Sequence, residues 1–200
     1  MINFTDMTGL ASSAVAIAAM SVQLPGVARL QKSHLAVLLC ALVVVVLIPF
    51  GGLPLAAYVR GVTGDLSMAS LVLLMLAILK RLPGRSPLDD KARTMLLLAI
   101  ALAAAGLYPM ALGIGYFDPY SLGYGNPWFL GGLLLAALVA AFRQRPAIAW
   151  VVALSVLAWS AGWYESANLW DYLLDPLLAI YAFGALLKQG VQAVLKMRRS

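Results

Sequence analysis

Long apolar segments separated by short gaps, with the basic residues confined to every second gap, constrain this chain more than any other feature. Arg29 and Lys32 fall in one such gap, Lys80, Arg81, Arg85, Lys91 and Arg93 in the next, then Arg143 and Arg145, then Lys188, Lys196, Arg198 and Arg199. Asp65, Asp118, Glu165, Asp171 and Asp175 fall in or beside the intervening gaps. A chain threaded repeatedly through a bilayer keeps lysine and arginine in its cytoplasmic loops. The pattern predicts an all-α fold, a polytopic transmembrane helical bundle with a cytoplasmic C-terminus in the inner membrane of a prokaryotic cell.

Composition agrees with that reading. Apolar residues make up 63% of the 200 positions and charged residues only 11%, against roughly half and about a quarter in soluble domains. The net charge of +6 would suggest nucleic acid in a soluble protein. Here the positive residues flank apolar segments, and topology and anionic headgroups account for them without a nucleic-acid partner.

A helix rises about 1.5 Å per residue and the hydrocarbon layer is about 30 Å thick, so a span needs roughly 20 residues. Six spans are predicted, over 33–50, 65–79, 87–115, 127–142, 146–163 and 169–187. With the basic gaps inside, residues 51–64, 116–126 and 164–168 lie outside, and Arg60 is the one basic residue left there. Residues 29–200 form a single transmembrane domain. Residues 1–28 hold a short apolar stretch at 9–22, built from small side chains. It is expected as an interfacial or bundle-packed helix, with a seventh span and an outside N-terminus as the alternative.

Polar residues punctuate the helix starts. Ser86-Pro87-Leu88-Asp89 reads as a variant capping box, and Asn126-Pro127 and Asp175-Pro176 place a cap before a proline at the first helical position. Asp65 is positioned to cap the second span. The segment Pro49-Phe50-Gly51-Gly52-Leu53-Pro54 breaks an apolar run, so residues 53–60 are expected to form either a short re-entrant or interfacial piece carrying Arg60 to the bundle or, equally economically, a loop after a simple span end.

The outer gaps carry a disproportionate load of acids and rings. Asp175 lies inside an apolar run with Asp171 four residues earlier, on the same face if the helix is continuous. Ionisable groups at membrane depth face a protein interior or a wet cavity and have partners; Arg60 is the expected one. One reading has Arg60 in a structural ion pair and Asp175 capping a helix from Pro176. In the other, Arg60, Asp65, Asp118, Tyr120, Trp163, Glu165, Asp171 and Asp175 line an outward cavity suited to a sugar, a lipid headgroup or a cation.

No cofactor or metal is expected, because His34 is the only histidine and Cys40 the only cysteine. Cys40 reads as a small buried apolar residue. Nucleophile-elbow, zinc-protease, phosphate-loop and dinucleotide motifs are absent. The leading expectation is a non-catalytic accessory subunit or a binder of lipid or glycan in the cell envelope. Its partners would be membrane lipids, a lipid-linked or glycan ligand, or another integral membrane protein. A small transporter or flippase using the carboxylates is the alternative, and an outer-leaflet enzyme on a lipid-linked substrate the third.

Overall fold

The computed structural model describes residues 3–27, 30–81 and 88–198. Among these the chain is all-α apart from a two-residue ribbon. The elements are α1 (Phe4–Ser21), α2 (Lys32–Leu47), β1 (Pro49–Phe50), β2 (Leu53–Pro54), α3 (Leu55–Thr63), α4 (Met68–Arg81), α5 (Asp90–Ala111), a 3₁₀ turn (Pro119–Gly123), α6 (Pro127–Phe142), α7 (Pro146–Ser160), α8 (Trp170–Leu173) and α9 (Pro176–Met197).

Leucine- and alanine-rich runs form these helices, and prolines and glycines clip their ends. Asn126 caps α6, its Oδ1 accepting from the Trp128 and Phe129 N–H groups, with Pro127 at the first helical position. At the start of α5 the sequence expectation shifts. Asp89 is itself the cap, accepting from Ala92 N–H at 2.7 Å, while Ser86 and Pro87 lie outside the described residues. Gly113 and Gly162, with φ of 89° and 62°, turn the chain after α5 and α7, so those helices stop short of the expected 115 and 163.

Among the described residues two helices, α5 and α9, are long and apolar enough to cross a membrane. The other apolar segments, Ser33–Leu47, Met68–Lys80, Pro127–Phe142 and Pro146–Ser160, are shorter than the expected spans, at most about 24 Å at 1.5 Å per residue. The expected span 169–187 is interrupted: Leu174 is extended between α8 and α9. Asp171 and Asp175 therefore do not share a helix face.

The centre is built from α4, α5, α7 and α9, where Ala69, Leu97, Ala104, Val151, Leu178 and Ala182 meet. On one flank α1 packs against α2, α3 and α4; on the other α6 packs against α7. α1 runs the full depth of the bundle. Thr8 Oγ1 donates to Trp163 O near one end, while Ala19 and Val22 pack against Leu35 and Ile78 at the other.

Successive long helices alternate in direction, which sorts the charges. One end of the bundle gathers Asp6, Arg60, Asp65, Asp118, Glu165, Asp171 and Asp175. The opposite end holds the remaining described basic residues together with Asp89 and Asp90. Between these acidic and basic ends the flanks are apolar. Only Ala140 of α6 is buried, whereas Leu134, Leu135 and Phe142 are 61%, 63% and 84% exposed. Cys40, expected in the interior, lies exposed on α2.

Candidate functional site

The acidic end is organised by two separate carboxylate clusters. The first begins with the hairpin after α2. Gly51 and Gly52 both take positive φ, 65° and 101°, as a tight two-residue reversal requires. The chain re-enters as α3, whose single buried residue is Ala56, and Arg60 near its end reaches back toward α1. Arg60 Nε and Nη2 donate to the two oxygens of Asp65 at 2.6 and 3.0 Å, and Nη1 donates to Asp6 at 3.3 Å. Glu165 lies 3.7 Å from Nη2. The hydrogen-bonded Asp65 carboxylate raises the Arg60 pKa above its ordinary value, although burial opposes it. Gly9 of α1 allows the approach: a Cβ there would sit 2.5 Å from Arg60 Cζ and 2.7 Å from Asp65 Oδ1.

The second cluster surrounds Asp175, which is 5% exposed. Its Oδ1 accepts from Leu178 N–H at 2.8 Å and so caps α9. Its Oδ2 accepts from Ser67 N–H at 3.0 Å, Ser67 Oγ at 2.7 Å and Ser70 Oγ at 2.5 Å. Ser67 in turn caps α4, its Oγ accepting from Ser70 N–H. One carboxylate thus joins the N-termini of α4 and α9, where the partial positive charge of two helices offsets its own. This arrangement overturns two expectations. Arg60 is engaged by Asp65, Asp6 and Glu165 rather than by Asp175, and Ser67 rather than Asp65 closes the start of α4.

A phenol and amide framework holds the rest of this end. Tyr172 is fully buried, and its hydroxyl accepts from Tyr164 N–H and donates toward the carbonyls of Ser166 and Tyr164. The Tyr164 ring stacks on Tyr172 with centroids 5.2 Å apart, and its hydroxyl donates to Leu66 O at 2.7 Å. Burial pushes the Tyr164 phenol up to about 12, against the smaller opposing effect of Ser12. Asn168, also fully buried, donates to Tyr120 O and accepts from Trp170 N–H. That bond ties the 3₁₀ turn to the residues before α8.

Between the 3₁₀ turn, α5 and the start of α9 a cleft of about 520 Å³ remains, bordered by Asp65, Tyr108, Tyr120, Tyr164, Asp171 and Asp175. Asp171 accepts from Tyr120 Oη at 2.9 Å and Ser166 Oγ at 2.5 Å. Burial, and then Asp171, raise the Tyr120 pKa well above its ordinary value. Among the described residues the Tyr108 hydroxyl has no hydrogen-bond partner. Among the described residues neither Asp171 nor Asp175 has a basic partner.

Four of the eight residues singled out in the sequence, Asp65, Tyr120, Asp171 and Asp175, border this cleft. Arg60 stands behind Asp65. Glu165 is exposed at the edge of the Arg60 cluster. Asp118 accepts from Tyr120 N–H and caps the 3₁₀ turn, and Trp163 packs edge-on to Phe4. Sequence reasoning did not single out Ser67, Ser70 and Asn168. The serines carried a signal, since their spacing of three opens an apolar run; Asn168 carried none beyond its place in a polar gap.

Comparison of the chain with protein-family models, with curated proteins and with solved structures gives no significant match.

Proposed function

We propose that this chain is a multi-pass protein of the cytoplasmic membrane whose outer face binds a hydroxyl- or ammonium-bearing headgroup, of a lipid or a glycan, without transforming it. The membrane part of this reading rests on the apolar flanks lying between segregated charges. A soluble monomer rarely exposes contiguous apolar surface beyond a few hundred Å², and here it continues along whole helices such as α6. Seven helices then cross, because α1 spans the same depth as its neighbours. The acidic end faces outward. The exposed faces of α2 and α6 meet lipid or an integral membrane partner.

The observation that carries the binding reading is the cleft's electrostatics. Two carboxylates without basic partners and one unengaged phenol, among the described residues, border a cavity of about 520 Å³, which selects donors and repels anions. Native mass spectrometry of the chain extracted from its own membrane tests it. A bound headgroup-bearing species is expected, with occupancy falling several-fold in Tyr108→Phe and Asp171→Asn. An empty protein, or occupancy indifferent to both changes, rejects the assignment.

One observation favours transport as a second reading. Asp175 borders the outer cleft, while its partner Ser70 borders a larger groove running to the basic end. Movement of a cation or proton through reconstituted protein, lost in Asp175→Asn while the fold persists, would favour this reading over simple binding.

A further inference from the structure

The larger groove carries its own chemistry. It holds about 840 Å³ between α1, α4, α5 and α9, and its middle is apolar, lined by side chains such as Ala16, Leu73 and Ala77. At its basic end stand Lys80 and Arg93, with Asp90 beside them. Lys80 and Arg93 have no ion-pair partner among the described residues, and the Arg93 guanidinium donates to the neutral Tyr181 hydroxyl. The two cations outnumber the single carboxylate, so the mouth attracts an anion.

We propose that this groove holds one acyl chain of an anionic phospholipid from the inner leaflet, with the lipid phosphate between Lys80 and Arg93. Charge and shape both select that occupant. Basic sites between helices on the cytoplasmic side suit acidic headgroups, and an arginine fork matches phosphate oxygens. Val59 and Thr63 of α3 line the groove away from its basic residues. The cations stand at one end only, which suits a lipid with a single headgroup and a tail running inward from it.

The inference rests on the membrane placement proposed above, but its test separates the two. The full chain is reconstituted in vesicles of equimolar phosphatidylglycerol and phosphatidylcholine, extracted in mild detergent, and examined by native mass spectrometry. Retention of one phosphatidylglycerol per chain is expected. Each basic side chain contributes about 1 kcal/mol, so Lys80→Ala with Arg93→Ala lowers that retention by on the order of thirtyfold. Ala77→Trp fills the groove and displaces the bound phosphatidylglycerol.

Phosphatidylglycerol retention unaffected by the double substitution overturns the proposal and marks the lipid as a nonspecific coat. Capture of another membrane protein that protects Ala77→Cys from thiol reagents, with no bound lipid, also overturns it. Failure of the chain to enter vesicles at all rejects the membrane reading itself.

Discussion

Asp175 shows how a carboxylate is held in an apolar setting without a counter-ion among the described residues. Its four hydrogen bonds come from two backbone N–H groups and two serine hydroxyls, each strengthened by the ionised acceptor. Replacing Asp175 by Asn keeps the shape but turns one acceptor into a donor. If the new amide retains the α9 cap, it faces the Ser67 N–H instead. A loss of about 1–3 kcal/mol is expected, seen as a lower unfolding midpoint in detergent; an unchanged midpoint would deny the cluster its structural role. That Asp175 caps α9 was legible from the adjacent Pro176. Its serine partners were not, since Ser67 lies 108 positions away.

Tyr164 provides a residue-scale test in pH. An exposed tyrosine loses its proton near pH 10, and burial holds the Tyr164 proton to about 12. Below pH 10 the hydroxyl is protonated in both folded and unfolded chains. Between 10 and 12 the unfolded chain releases the proton while the folded one retains it, so stability falls as pH rises. Circular dichroism across this range should show a shallower decline in Tyr164→Phe than in the parent; parallel curves would exclude the linkage.

Among the elements, the short ones position the cleft and the long ones only frame it. The 3₁₀ turn is held by Asn168 against Gly123, whose Cβ, were one present, would lie 2.6 Å from Asn168 Cγ and 2.9 Å from Trp170 Cδ1. Gly123→Val should therefore force the turn away from α8, at about 1–3 kcal/mol for overpacking. The expected readout is faster proteolysis within residues 116–126; parental cleavage rates would show that the turn is held elsewhere. Periodicity and proline placement made α6 legible at both ends. For 169–187 the cap-proline pair at Asp175-Pro176 marked the start of α9, but the separate turn of α8 stayed hidden because the stretch also reads as one continuous apolar run. Arg60 was legible as the isolated outer cation, but its choice of Asp65 and Asp6 depends on α3 folding back over Gly9.

For the molecule as a whole, orientation is the property on which both proposals depend. Single cysteines introduced in a Cys40→Ser background test it. A membrane-impermeant thiol reagent added to intact cells should label Ser121→Cys, and should reach Gln144→Cys only after the cells are opened. The reverse pattern would turn the outer cleft toward the cytoplasm and remove its proposed ligand.

The linear order of residues was enough to determine the helical class and the separation of charge between the two ends. Both are one-dimensional properties, set by the length of apolar runs and the gaps that interrupt them. Tertiary structure alone decided which of these distant donors meets which carboxylate, because the deciding contacts join positions 54, 105 and 108 residues apart. Hydrogen bonds act over about 3 Å, so those pairings exist only once the helices have packed.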